Sequence, residues 1–178
     1  MTPAEIKALV RTVPDFPAPG IQFRDITTLI SHPQGLSATL DHLVEAARSA
    51  QASAVAGIEA RGFVFGAAIA ARLGLGFVLL RKPGKLPVDT IGVDYVLEYG
   101  QARLEFDPTL VEPGEPVLLV DDLLATGGTA LAGASLLRQA GARVEHALFV
   151  IELPDLGGSE KLRAAGVAPR ALIEFAEH

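Results

Sequence analysis

Cysteine is absent from the 178 residues, so neither a disulfide nor a thiolate-held metal can belong to the fold, as suits a reducing cytoplasm. No apolar run approaches the roughly 18 residues that a membrane-spanning helix requires. The opening Met1-Thr2-Pro3-Ala4-Glu5-Ile6-Lys7 has neither the basic patch nor the apolar stretch of a signal peptide. Surplus positive charge is lacking too: 15 Lys and Arg face 21 Asp and Glu, a formal net charge of −6. Binding nucleic acid by counterion displacement needs the opposite balance. Neither a membrane nor a nucleic-acid partner is expected, and the expected location is the cytoplasm. No repeat, linker or low-complexity tract divides the chain, and 49% hydrophobic with 20% charged content suits one globular domain.

What is present is organised around Val117 to Thr129, Val-Leu-Leu-Val-Asp-Asp-Leu-Leu-Ala-Thr-Gly-Gly-Thr. The apolar run Val117 to Val120 predicts a strand covered on both faces in a parallel sheet. From Thr129, Leu131, Leu136 and Leu137 with intervening alanines predict a buried helix closed by Gly141. A strand, a small-residue turn and a helix in that order expose free N–H groups at the helix start, an anion site. The paired carboxylates Asp121 and Asp122 repel a bare polyanion but accept hydrogen bonds from vicinal hydroxyls. A ribose 5-phosphate satisfies both halves, whereas a buried strand ending in an acidic turn is the plainer alternative. Neither a P-loop nor a dinucleotide-binding glycine pattern is present.

Ala54 to Ile58 predicts the first strand of the sheet, and Glu59-Ala60-Arg61-Gly62-Phe63 then turns into an alanine-rich helix ending near Gly74. Arg61 stands at that switch, either holding a second anion or capping the sheet edge. Further strands are expected at Gly76 to Leu80, Val144 to Leu153 and Ala171 to Phe175, with a short helix from Ser159. The segment Arg81-Lys82-Pro83-Gly84-Lys85-Leu86-Pro87 is a basic loop in an acidic protein. Ile91 to Asp107 alternates with period two on both sides of Tyr99-Gly100, as a hairpin does. Thr2, Pro3 and Glu5 open a capped helix, and Leu36, Leu40, Leu43, Val44 and Ala47 mark another from Pro33. His32 and His42 read as capping or surface residues. Between these helices, three prolines fix Pro14 to Asp25 in an extended path, with Phe16 read as a plug at the edge of the core.

Val120-Asp121-Asp122-Leu123-Leu124-Ala125-Thr126-Gly127-Gly128-Thr129 resembles the phosphoribosyl-pyrophosphate motif of type I phosphoribosyltransferases, and its Leu-Leu-Ala variant is most like the adenine branch of that family. The loop Pro19-Gly20-Ile21-Gln22-Phe23-Arg24-Asp25, the Glu59 to Phe63 turn, Leu80 to Pro87 and Leu97-Glu98-Tyr99-Gly100 carry the likeness over almost the whole chain. It implies an α/β fold with a parallel twisted sheet flanked by helices, an N-terminal hood over about 1–35, a core over about 36–178 and a hairpin lid over about 82–107. The implied reaction makes AMP and pyrophosphate from adenine and 5-phospho-α-ribose 1-diphosphate (PRPP).

By the same resemblance Asp121 and Asp122 face the ribose, and Ala125, Thr126, Gly127, Gly128 and Thr129 cradle its phosphate. Arg61, Arg81 and Lys85 face pyrophosphate, the basic loop often acting across a homodimer interface. Phe23 stacks on the base, with Arg24 main-chain groups and Leu123 beside it. Glu98 is the catalytic residue, Mg²⁺ is held mainly by substrate oxygens with no direct protein ligand, and a cis peptide is expected at Glu59-Ala60. The rival readings are a transferase for hypoxanthine or guanine and a PRPP-sensing regulator, the latter requiring a DNA-binding segment.

Overall fold

The computed structural model describes residues 1–97 and 100–176 of the chain. Thr2 caps α1 (Pro3–Ala8) by the expected reciprocal pair, Thr2 Oγ1 accepting from Glu5 N at 3.3 Å and Glu5 Oε2 accepting from Thr2 N at 2.7 Å. The proline-dense stretch is extended as expected, yet it also pairs with itself. β1 (Arg11–Pro14) and β2 (Gln22–Asp25) form an antiparallel ribbon, in which each strand keeps an outer edge where proline withholds no needed N–H. Phe16 is not the expected plug: it is 52% exposed and meets the Phe23 ring edge-on at 5.1 Å.

A single turn, α2 (Thr27–Ile30), leads to α3 (Pro33–Arg48), whose start is capped by His32 Nδ1 accepting from Gly35 N at 3.0 Å. Asp25 ties this hood together. Its carboxylate accepts from Thr27 N at 2.9 Å, Thr27 Oγ1 at 2.6 Å and the Arg11 guanidinium. These hydrogen bonds, Thr27 first and then Arg11, lower the Asp25 pKa to about 2.

All five apolar runs predicted as strands join one parallel sheet, ordered β4-β3-β7-β8-β9. They are β3 (Ala54–Ile58), β4 (Gly76–Leu80), β7 (Val117–Leu124), β8 (His146–Glu152) and β9 (Ala168–Glu174); the crossovers include α4 (Arg61–Leu73), α5 (Gly128–Gln139) and α6 (Gly158–Ala164). One face of the sheet packs Ile6, Leu43, Phe65 and Ile69 against Leu118 and Val120. The other packs α5 side chains such as Leu136 against Leu119, Phe149 and the hairpin β5 (Ile91–Val96) and β6 (Gln101–Phe106). Among the described residues no helix is long and apolar enough to cross a membrane.

The strand order positions the site. From β3 the chain proceeds to β4 on one side, and from β7 it proceeds to β8 on the other, so the crossover helices leave the neighbouring carboxyl ends of β3 and β7 in opposite directions. A crevice opens outside the sheet at such a switch point. The hairpin borders it and is anchored in the core: Leu104 and Phe106 are fully buried, and Ile91, Val93 and Tyr95 lie against the same core.

Candidate active site

The β7 strand is longer than its apolar run. The ladder to β8 continues through Asp121↔Phe149 and Leu123↔Ile151 to Leu124↔Glu152, so the two carboxylates lie within the strand and not at its exposed end. Only Ala125, Thr126 and Gly127 separate β7 from α5, and Gly127 caps the helix at φ +86°, where a side chain would be strained. The first N–H groups of α5 have no carbonyl one turn earlier to receive them. They and the helix dipole face the crevice, which suits an anion. A parallel unit lies alongside: β3 ends at Ile58, Glu59-Ala60 is a cis peptide as expected, and α4 starts at Arg61.

Between these two turns is a cleft of about 370 Å³, lined by Glu59, Ala60, Arg61, Lys82, Tyr95, Leu97 and the continuous segment 121–130. That volume suits a small substrate. Arg61 Nε donates to Asp122 Oδ2 at 2.5 Å, and the Asp122 side chain is 8% exposed against 54% for Arg61. Burial disfavours the Arg61 charge, but the charge and hydrogen bond of Asp122 outweigh it and raise its pKa, with Asp121 and Asp25 adding to the effect. Asp121 behaves oppositely. Burial first, then the charge of Asp122, pushes its pKa well above the usual value, although part of the residue stays accessible from the cleft. Asp121 Oδ1 also accepts from Asp122 N at 2.8 Å. The floor thus combines a compensated carboxylate with a neighbour predisposed to take a proton or a hydroxyl hydrogen bond.

Glu59 fastens the basic loop to the cleft rim by accepting from Lys82 N at 2.7 Å and Arg81 Nε at 3.2 Å. Burial opposes the Glu59 charge, yet these two donors hold its pKa below the usual glutamate value. Arg103 and Glu105 hold the loop from the hairpin side: Glu105 accepts from Gly84 N at 2.9 Å and Arg103 Nε at 3.1 Å.

Of the residues singled out from the sequence, the cleft gathers Arg61, Asp121, Asp122, Leu123, Ala125, Thr126, Gly127, Gly128 and Thr129. Arg81 and Lys85 are not among its lining residues, whereas Lys82 is. Side chains alternate along an extended chain, and that alternation is the signal that could have singled out Lys82 from its neighbour. Phe23 and Arg24 lie on the hood ribbon outside the lining; Arg24 donates to Thr12 Oγ1 at 2.6 Å and stacks over the Phe175 ring at 4.4 Å. Glu98, with Tyr99, lies outside the described residues; its neighbour Leu97 lines the cleft.

The phosphoribosyl transferase domain family matches residues 31–163. Over 178 residues, all of both chains, the sequence is 67% identical to an adenine phosphoribosyltransferase of Novosphingobium aromaticivorans. The crystal structure of the adenine phosphoribosyltransferase from Thermoanaerobacter pseudethanolicus is 44% identical with a TM-score of 0.93, over 98% of this chain and 100% of that one. An APRTase from Giardia lamblia, complexed with 9-deazaadenine, is 37% identical with a TM-score of 0.93, over 99% of each chain. A parallel sheet with its cleft at the switch point, a paired-acid motif on the cleft floor and likeness along the full length agree: the chain belongs to the adenine phosphoribosyltransferase family.

Proposed function

We propose that the cleft between β3 and β7 is where this purine-salvage transferase converts adenine and PRPP into AMP and pyrophosphate. One observation carries the assignment: a pair of carboxylates, one of them ion-paired, stands in a single cleft with an open helix N-terminus, only the five residues Leu123 to Gly127 between them. A ribose phosphate presents hydroxyls and an anion in that order. Asp121 and Asp122 accept from the ribose hydroxyls, and the segment from Ala125 to Thr129 receives the 5-phosphate.

In the reaction, N9 of adenine bonds to C1 of the ribose as the bond from C1 to pyrophosphate oxygen breaks. Positive charge builds on the sugar while negative charge leaves with pyrophosphate. Arg61 offsets the departing charge from within the cleft, and Lys82 extends the same positive rim. Arg81 and Lys85 join them from the basic loop. Lys85 is exposed and does not line its own chain's cleft, which favours a homodimer in which the loop serves a neighbouring site. Phe23 stacks on the base, Arg24 main-chain groups read its edge, and Leu123 supports it from the floor. Glu98 accepts or holds the purine ring proton as N9 attacks, a role that contributes about 10² to 10⁴ in rate.

A magnesium ion fits this donor set. No group of three or more His, Cys, Asp or Glu residues able to hold a metal occurs among the described residues, so the ion would be held mainly by substrate oxygens, with Asp121 and Asp122 holding the ribose hydroxyls beside it and no direct protein ligand. When bound it neutralises phosphate charge. The hood over about 1–35, the core over about 36–178 and the hairpin over about 82–107 acting as a lid complete the proposal. A cytoplasmic location accords with a fold that needs no disulfide.

Pyrophosphate release measured in parallel with adenine, hypoxanthine and guanine tests the assignment. Adenine alone should sustain turnover, since a 6-oxo base reverses the hydrogen-bond pattern at its edge. Equal rates with a 6-oxo base would contradict it.

A further inference from the structure

The turn that receives the phosphate is braced from behind by the start of α6. Gly158, the first residue of that helix, lies so close to the turn that a methyl group there would drive into the Ala125 carbonyl oxygen and come within 2.9 Å of Leu124 Cδ1. From the other side, a methyl group on Gly127 would sit 3.0 Å from both the Gly158 Cα and its carbonyl oxygen. The two glycines therefore abut backbone to backbone. Neither surface has room to yield without moving the other.

What keeps Gly158 there is a polar clasp. Ser159, 8% exposed, donates its hydroxyl to Glu152 Oε1. Glu152 ends β8, where it is in register with Leu124, the last residue of β7. Leu124 O accepts from Leu153 N at 2.9 Å. The clasp thus fixes the first turn of α6 to the strand end from which the phosphate turn departs.

We propose that Ser159 and Glu152 are positioning residues for the phosphate of PRPP, acting through Gly158 on the turn from Ala125 to Gly127. This rests on the assignment of that turn to the substrate phosphate. Neither side chain lines the cleft, so their influence is mechanical: the hydrogen bond sets how closely Gly158 confines the turn, and hence where its N–H groups point. A loosened clasp weakens the substrate that uses the turn and spares the base.

The test is steady-state kinetics with both substrates varied, on the purified full chain carrying Ser159→Ala, Glu152→Gln or Gly158→Ala. Ser159→Ala removes a hydrogen bond to a carboxylate and should raise the KM for PRPP roughly three- to tenfold, with the KM for adenine unchanged. Glu152→Gln keeps an acceptor and should stay nearer the parent. Gly158→Ala should show the same selective rise more strongly; if it does not fold, the other two variants still decide. An unchanged KM for PRPP in Ser159→Ala, or equal rises for both substrates, overturns the inference. The double variant Asp121→Asn with Asp122→Asn is the control. If it loses PRPP binding while Ser159→Ala is normal, only the clasp fails; if neither variant affects PRPP, the cleft assignment fails as well.

Discussion

Replacing Arg61 by alanine separates its role in the fold from its role in the chemistry. Its partner Asp122 is nearly buried at 8% exposure, while Arg61 is 54% exposed. An exposed pair contributes about 0 to 1 kcal/mol, and stripping one partner from a fully buried pair costs about 3 to 5 kcal/mol. Arg61 is partly screened by solvent, so the loss should be about 2 kcal/mol, between those limits. In a chain of this size each kcal/mol moves Tm by about 2 to 4 °C. A fall of roughly 4 to 8 °C is therefore expected for Arg61→Ala in the absence of substrate. Adding Asp122→Asn removes the stranded charge and should restore most of that loss. Turnover should behave otherwise: it should fall about a hundredfold in Arg61→Ala, as for loss of a donor to developing negative charge, and stay low in the double variant. Differential scanning calorimetry and initial rates on the same samples read both effects. An unchanged Tm in Arg61→Ala refutes the pairing argument, and full turnover in the destabilised single variant Arg61→Ala would mean that Arg61 serves only the fold.

Gly62→Ala should perturb the site without altering any charge. Its methyl group would lie 2.9 Å from Asp121 Oδ1 and 3.0 Å from the Val120 carbonyl oxygen, so a loss of about 1 to 3 kcal/mol and a higher KM for PRPP are expected from calorimetry and kinetics. Asp25 is depressed from 3.8 to about 2, so its contribution is fully present above about pH 4 and is lost as pH falls through about 2. The Tm gap between the parent and Asp25→Asn should therefore be full at about pH 5 and narrow toward about pH 2; a constant gap would exclude the carboxylate as its source. Phe23→Ala should raise the KM for adenine by a factor corresponding to about 1 to 3 kcal/mol of stacking, with little change for PRPP. Equal adenine KM values would leave Phe23 a structural hood residue.

The sheet was legible because burial on both faces leaves a strand no polar positions: Ala54–Ile58, buried throughout, matches its apolar run residue for residue. The same logic ended β7 too early. Asp121 and Asp122 interrupt the apolar signal, yet the ladder to β8 carries the strand on to Leu124, and a functional site is where local pattern and global fold part company. In the hood, prolines advertise an extended chain but conceal that Arg11–Pro14 pairs with Gln22–Asp25. The composition of the basic loop marked its chemistry and not its direction: Lys82, and neither Arg81 nor Lys85, is the loop cation that joins Arg61 in lining this cleft. The contact of Gly158 with Ala125 joins residues far apart in sequence, and nothing local to either predicts it.

The central claim is that Asp121 and Asp122 form the ribose floor of a PRPP site. Isothermal titration of PRPP with magnesium into the parent and into Asp121→Asn with Asp122→Asn tests it most directly. Circular dichroism should first establish that the double variant is folded. The parent should bind, and the folded double variant should bind at least about tenfold more weakly, a loss of about 1.4 kcal/mol or more. Equal dissociation constants for the two proteins would contradict the claim.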